Sequence, residues 1–280
     1  MPRKTRWGLV LIVVAALIGW AIYAWLPPAM PKPGQIAAST PKARQYVRTP
    51  FLDDWDQADL AIMADHARLN PDLAWLEGPT HRRVVALTFD DGPSPYTPDL
   101  LDVLKKHHVK ATFFWMGKHL EGREEVVRRA LAEGHTLGNH TYDHPDISGT
   151  SEDFWWGEQI SRTQDIYQRI IGKRPVLFRP PYGKIDDGEI KALGQHGLKT
   201  ILWSVDTQDW NKNRWLFGSH YIERWIQTYI HQEAIILMHD GGGRRDQTVE
   251  AVDEVIPWLK AAGYEFVTVD ELLGIKQAYQ

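Results

Sequence analysis

Hydrophobic and polar positions divide this chain into three regimes. From Trp7 to Leu26 no residue is charged, and a helix of that length, rising ~1.5 Å per residue, crosses a hydrocarbon core of about 30 Å. From Pro27 to Arg44, Pro, Ala, Ser and Lys recur without a period, as in a solvated tether. Beyond His81, short apolar runs alternate with amphipathic ones. The runs Arg83–Leu87, Ala111–Trp115, Thr136–Asn139, Val176–Phe178, Lys199–Val205, Ala234–Met238 and Glu265–Val269 predict strands. Between them, Pro98–His107, Glu124–Glu133, Phe154–Ile171, Asp187–His196, Tyr221–His231 and Thr248–Ala261 predict helices. The alternation predicts an α/β fold, a distorted (β/α) barrel with about seven parallel strands, plus an N-terminal transmembrane helix.

The expected organisation is a basic cytoplasmic tail at 1–6, a transmembrane signal anchor at 7–26, a tether with a short helical extension at 27–80, a catalytic domain at 81–274 and a C-terminal tail at 275–280. Within the extension, Asp56–Met63 predicts a short amphipathic helix packed on the domain. Arg3, Lys4 and Arg6 precede the span, so the positive-inside rule leaves the N-terminus in the cytoplasm and the rest of the chain outside it. A cleaved signal peptide is the competing reading. The apolar run exceeds an h-region of about 7–15 residues, and Pro27-Pro28 offers no small-x-small cleavage site, so an uncleaved anchor is favoured.

Composition narrows the chemistry. With 280 residues and 43% of them hydrophobic, the chain can bury a full core. A net charge of -4 gives no basic field for nucleic acid. There is no cysteine, so any metal must be held by His, Asp or Glu.

Asp90, Asp91, His140, Arg179, Asp206 and His239 each fall where a predicted strand hands over to its loop. That edge is where α/β barrels build their active sites. Asp90-Asp91-Gly92-Pro93 is either a polar turn or a pair of carboxylates facing one pocket, one gripping a cation and the other handling a proton. His140 and His144 can reach one ion from a curled loop, although such a pair is commonly a surface coincidence. With Asp91 they would leave a coordination position open for water, as catalytic sites do. Pro180 and Pro181 stiffen the loop after Arg179, which could hold a carboxylate ionised, while a fixed Tyr182 amide could stabilise an oxyanion. Asp206 and Asp209 sit beside Trp210. His239, alone a plausible core histidine, becomes a candidate general acid if it faces this site. Trp203, Trp210 and Trp215 could form a sugar-stacking wall or serve as ordinary core residues.

Assembled, the chain resembles the polysaccharide deacetylases of carbohydrate esterase family four, which share the nodulation-factor chitooligosaccharide deacetylase domain. Five motifs carry the resemblance, over about His81 to Gly274: Thr88-Phe89-Asp90-Asp91-Gly92, His140-Thr141-Tyr142-Asp143-His144, Arg179-Pro180-Pro181-Tyr182, Asp206-Thr207-Gln208-Asp209-Trp210 and Leu237-Met238-His239-Asp240. The resemblance implies a distorted (β/α) barrel and metal-dependent removal of N-acetyl groups from sugars. By position it makes Asp90 the base, Asp91, His140 and His144 the metal ligands, Tyr182 the oxyanion amide and His239 the acid. Arg179 would orient Asp90, Asp209 would tune His239, Leu237 would line the pocket for the acetyl methyl and Trp210 would contact the sugar. One divalent ion is implied, zinc before cobalt, manganese or nickel. The expected partners are an N-acetylated glycan such as peptidoglycan, chitin oligomers or exopolysaccharide, and the membrane through the N-terminal helix, with no nucleic acid. Three alternatives stay open: a deformylase or deacylase of a lipid-linked amino sugar, which needs the same groups, a hydrolase of a non-sugar amide on this scaffold, and, from a different class, a membrane-tethered glycan-binding module without turnover.

Overall fold

The computed structural model describes residues 57–79 and 81–280. The expected span at 7–26, and the tether as far as residue 56, lie outside them. Among the described residues no helix is long and apolar enough to cross a membrane.

Among the described residues nine strands form one sheet, with every ladder parallel: β1 (Ala74–Trp75), β2 (Val84–Asp90), β3 (Thr112–Trp115), β4 (Thr136–Asn139), β5 (Leu177–Phe178), β6 (Lys199–Ile201), β7 (Val205–Asp206), β8 (Ala234–His239) and β9 (Glu265–Phe266). Eight of them follow the order β1-β6-β5-β4-β3-β2-β8-β7, and β9 pairs with β2 off this path. The sheet is a curled half-barrel with helices outside it. Two strands exceed the expected seven. Ala74–Trp75 is too short to show a period, and the expected strand Lys199–Val205 changes partners halfway. Its first part pairs with β5 and β1, its second with β8. Across the break, the Leu202 amide donates to the Trp75 carbonyl at 2.8 Å and the Ser204 amide to that of Ile235 at 3.1 Å. Chain continuity, rather than a ladder, spans the open side.

The helices are α1 (Leu60–Leu69), α2 (Thr97–Lys106), α3 (Gly117–Leu120), α4 (Glu124–Ala132), α5 (Arg162–Ile171), α6 (Asp187–Gln195), α7 (Ser219–Tyr229), α8 (Asp246–Ala261) and α9 (Val269–Leu273). Their starts follow capping chemistry. Asp186 and Glu189 close a reciprocal capping box at α6, and Asp59 caps α1. The expected helix Phe154–Ile171 is two elements, a π-helix at Asp153–Ser161 running into α5. The expected final strand, Glu265–Val269, stops at Phe266 because Thr268 caps α9.

Alternation along the strands sorts the core. In β2, Val85, Leu87 and Phe89 join the cluster under the helices, whereas Val84 and Ala86 face the interior with Ile235 and Leu237 of β8. Period two therefore carries Asp90 and His239 up the interior face, and the register sets them directly opposite one another on adjacent strands. The extension also joins the core. Met63 of α1 packs with Trp203 and Leu237.

The closing residues, taken as a tail on sequence grounds, pair with the β5 approach. Gln280 and Arg174 exchange backbone bonds at 2.8 and 3.1 Å, and the Tyr279 hydroxyl accepts from the Leu137 amide at 2.9 Å. Tyr279→Phe strips that amide of its partner, a loss of about 1–3 kcal/mol. At about 2–4 °C per kcal/mol for a domain of this size, the thermal midpoint should drop measurably in a calorimetric scan. An unchanged midpoint would mean that the bond contributes nothing to stability.

Candidate active site

Asp90 ends β2, and Arg179 lies behind it, fully buried. Arg179 Nη1 donates to Asp90 Oδ1 and to Thr88 Oγ1, both at 2.8 Å. Its Nε and Nη2 donate to the carbonyls of Ile201 and Leu202, each at 3.1 Å. The guanidinium also stacks 4.2 Å from the centre of the Phe114 ring. Burial pushes the Asp90 carboxyl up to about 6, although the Arg179 charge pulls the other way.

Asp91 turns away from the strand at φ 71, a conformation Asp tolerates better than most residues. Two glycines admit it. A Cβ at Gly241 would lie 2.1 Å from the Asp91 carbonyl oxygen, and one at Gly242 would lie 2.4 Å from Asp91 Oδ2. Asp91 Oδ1 stands 3.5 Å from both His140 Nε2 and His144 Nε2. The ligand atoms of these three residues all lie within 4.8 Å of one another.

Both imidazoles are held neutral. Burial lowers each to about 4, against the opposing pull of the Asp91 carboxylate. His140 Nδ1 donates to the Arg179 carbonyl at 2.7 Å, which fixes the tautomer and leaves a lone pair on Nε2. Asp91 Oδ1 is buried without a hydrogen-bond partner. The His140 Nε2 lone pair, a second neutral imidazole and an unbonded carboxylate oxygen thus converge on one point, a donor set that suits a cation.

His239 faces the same space from β8. Its Nδ1 donates to Asp209 Oδ1 at 2.7 Å, while Asp209 Oδ2 accepts from the His239 amide at 2.8 Å and from Thr248 Oγ1 at 2.9 Å. Burial, the largest single influence, lowers the His239 pKa, but the Asp209 charge, its hydrogen bond to the ring and the Asp91 charge together outweigh it and raise the imidazolium to about 9. Two other carboxylates, Asp206 and Asp240, bond elsewhere. Asp206 accepts from the Gln208 amide and from Trp210 Nε1. Asp240 accepts from Thr97 Oγ1 and Trp115 Nε1.

A cavity of about 220 Å³ gathers Asp90, Asp91, His140, His144, Tyr182, Trp210, Leu237 and His239. Arg179 and Asp209 sit one layer behind, each bonded to a residue that lines it. Tyr182 takes φ 60 after the two prolines, and its ring meets His144 edge-on at 4.5 Å. Trp203 is buried in the interior cluster and shows the cavity one edge, while the side chain of Trp215 lies outside the described residues. Sequence reasoning passed over Gln57 and Arg245 in the cavity wall, and Thr248 on Asp209. The run Gly241-Gly242-Gly243 just before Arg245 was the available signal, because it marks close backbone approach.

A family profile described as polysaccharide deacetylase matches residues 77–201. The chain is 40% identical over 209 residues to a peptidoglycan-N-acetylglucosamine deacetylase of Bacillus cereus, covering 71% of this chain and 74% of the relative. Among solved structures, the Bc1960 peptidoglycan N-acetylglucosamine deacetylase superposes with a TM-score of 0.71 at 36% identity, over 76% of this chain and 98% of that one. The chitin deacetylase of the fungal pathogen Colletotrichum lindemuthianum superposes with a TM-score of 0.69 at 34% identity, over 74% and 95%.

The geometry separates the two adjacent aspartates. Asp90→Asn should leave bound metal unchanged, because Asp90 bonds to Arg179 rather than completing the ligand cluster. Asp91→Asn, His140→Ala and His144→Ala should each strip it, since three protein ligands are the minimum of a tight open site. Elemental analysis of the four purified variants reads this directly. Equal metal loss in Asp90→Asn and Asp91→Asn would overturn the division of roles.

Proposed function

The chain belongs to the polysaccharide deacetylase family, and from that premise we propose that it is a metal-dependent N-deacetylase of N-acetylglucosamine-containing polysaccharide, releasing acetate. The observation that carries the reading is the convergence of Asp91, His140 and His144 between an ionisable carboxylate and a charged imidazole, Asp90 and His239. Two imidazoles and a carboxylate suit zinc first, with cobalt, manganese or nickel as substitutes. When bound, such an ion supplies Lewis-acid polarisation of the amide carbonyl and lowers the pKa of water to about 7.

The residues supply the rest. Asp90, held ionised and oriented by Arg179, accepts a proton from the attacking water. The oxygen of that water bonds to the acetyl carbon, and the charge developing on the carbonyl oxygen falls to the Tyr182 amide among other donors. His239 then gives its Nε2 proton to the departing nitrogen as the C–N bond breaks, leaving acetate and a free amino sugar. Asp209 keeps His239 charged for this step. Leu237 offers an apolar wall beside the acetyl methyl, and Trp210, tethered to Asp206, offers a face to the sugar. Relatives that act on peptidoglycan and on chitin support a polymer of N-acetylglucosamine as substrate. The uncharged stretch at 7–26, with Arg3, Lys4 and Arg6 before it, supports a membrane-anchored enzyme working outside the cytoplasm.

Acetate release by the full chain, assayed on peptidoglycan, chitin oligomers and an N-acetylated exopolysaccharide, tests the proposal. Chelation should abolish release and zinc restore it. No release from any of the three, with zinc bound, would overturn it. The pH profile follows from two midpoints. Asp90 must be ionised, so the rate rises through about 6, and His239 must be charged, so it falls through about 9. A cation beside them favours the less positive form of each and moves both limbs down. Asp209→Asn removes the charge that raises His239, so the falling limb should shift to lower pH while the rising limb stays nearly in place. A falling limb unmoved by that substitution would mean that His239 is not the acid.

A further inference from the structure

The loop that carries His140 and His144 has an unusual set of supports. Its four successive amides from Thr141 to His144 all donate to side chains: Thr141 to Asn139 Oδ1 at 2.9 Å, Tyr142 and Asp143 to Gln159 Oε1 at 3.0 and 3.2 Å, and His144 to Thr141 Oγ1 at 3.1 Å. Thr141 and His144 are held at φ 64 and 69. A β-branched residue at positive φ is an outlier, and such a conformation persists only where its surroundings over-determine it.

We propose that Gln159, presented by the π-helix at Asp153–Ser161, is a positioning residue that presets the His140–His144 loop for its cation, an inference that rests on the metal-dependent reading above. Gln159 lies outside all five motifs of the sequence analysis. It is buried and meets half of the loop's amides with one oxygen. The π-helix is itself tied down at that point. Its Ile160 carbonyl accepts from Asn139 Nδ2 at 3.0 Å, and its Gln159 carbonyl accepts from Thr163 Oγ1 at 2.9 Å. Asn139 thus bonds to both the π-helix and the loop. The i→i+5 pattern is rare and concentrates at functional sites, and here it delivers an acceptor to the loop that bears two of the three candidate ligands. Without that acceptor, two partly buried amides lose their partner and the loop relaxes away from Asp91 Oδ1. Binding a cation would then have to reorder the loop, so affinity falls.

The test is zinc affinity of the metal-stripped full chain, measured by competition with a chromogenic chelator, with circular dichroism reporting the fold. Gln159→Leu keeps much of the volume and removes the acceptor, and Gln159→Asn draws it back by one methylene. Both should weaken zinc by about 10–100-fold, the scale of losing a group that orients the ligands from behind. Gln159→Glu can still accept from both amides and should bind zinc at least as tightly as wild type, to within about threefold. A purely structural role would not be rescued selectively by Glu. Affinities of the Leu and Asn variants within about threefold of wild type, or a Glu variant as weak as they are, would overturn the proposal. If Gln159→Leu does not fold, the contrast between Asn and Glu decides it. Failure of the wild-type chain to bind zinc would instead overturn the metal-dependent reading.

Discussion

Arg179 is the constraint on which the rest of this site depends. Its guanidinium sits at the top of the half-barrel interior, where β6 has ended and β7 has not begun, and takes up the carbonyls of Ile201 and Leu202 at that break. Buried carbonyls freed by a change of strand partner need such donors. The same side chain then spends its remaining reach on Thr88 and Asp90. One residue thus ties the spanning of the open side to the orientation of the carboxylate beside the ligand cluster. Lysine has no planar fork and could not serve four acceptors at once. A buried pair of this kind adds little net stability, but losing one partner is destabilising by about 3–5 kcal/mol. That asymmetry fits a group retained for what it positions.

Around this hub the protein drives like groups apart. Asp90 and Asp91 are neighbours, yet burial raises the first to about 6, while for the second burial is outweighed by the positive charge around it, that of His239 first, and the carboxyl lies below its ordinary range. The imidazoles divide as well. His140 and His144 fall to about 4 and His239 climbs to about 9. Their local chemistry explains the split: His140 gives its Nδ1 proton to a neutral carbonyl, whereas His239 gives its own to a buried carboxylate. Titratable groups pushed apart within one cavity are the signature of assigned acid and base roles.

Much of this was legible in the sequence because it is local. Apolar runs ending in Asp90, His140, Arg179 and His239 marked the strand ends, and period two set which residues rise on the interior face. The directly opposed register of Asp90 and His239 was not legible, since it depends on which strands become neighbours. Ala74–Trp75 escaped because two residues carry no period. The break within Lys199–Val205 escaped because an apolar run reads alike whichever neighbour it pairs with. Gln159 had no signal at all, since its partners on the loop come from an earlier stretch and the π-helix that aims it has no sequence pattern separate from an α-helix. The resemblance made Asp209 the residue that tunes His239, and the fold supplies the bond itself, from His239 Nδ1 to Asp209 Oδ1.

Buried Arg179 pulls the Asp90 pKa down against the stronger effect of burial and orients the carboxylate to take a proton. The most direct measurement of this role is the titration of the Asp90 carboxyl carbon by NMR in the metal-free protein, wild type beside Arg179→Met. The expected midpoint is about 6 in the wild type and higher in the variant, where burial acts without the opposing charge. A wild-type midpoint in the ordinary carboxylate range, or the same midpoint in both proteins, would contradict that role.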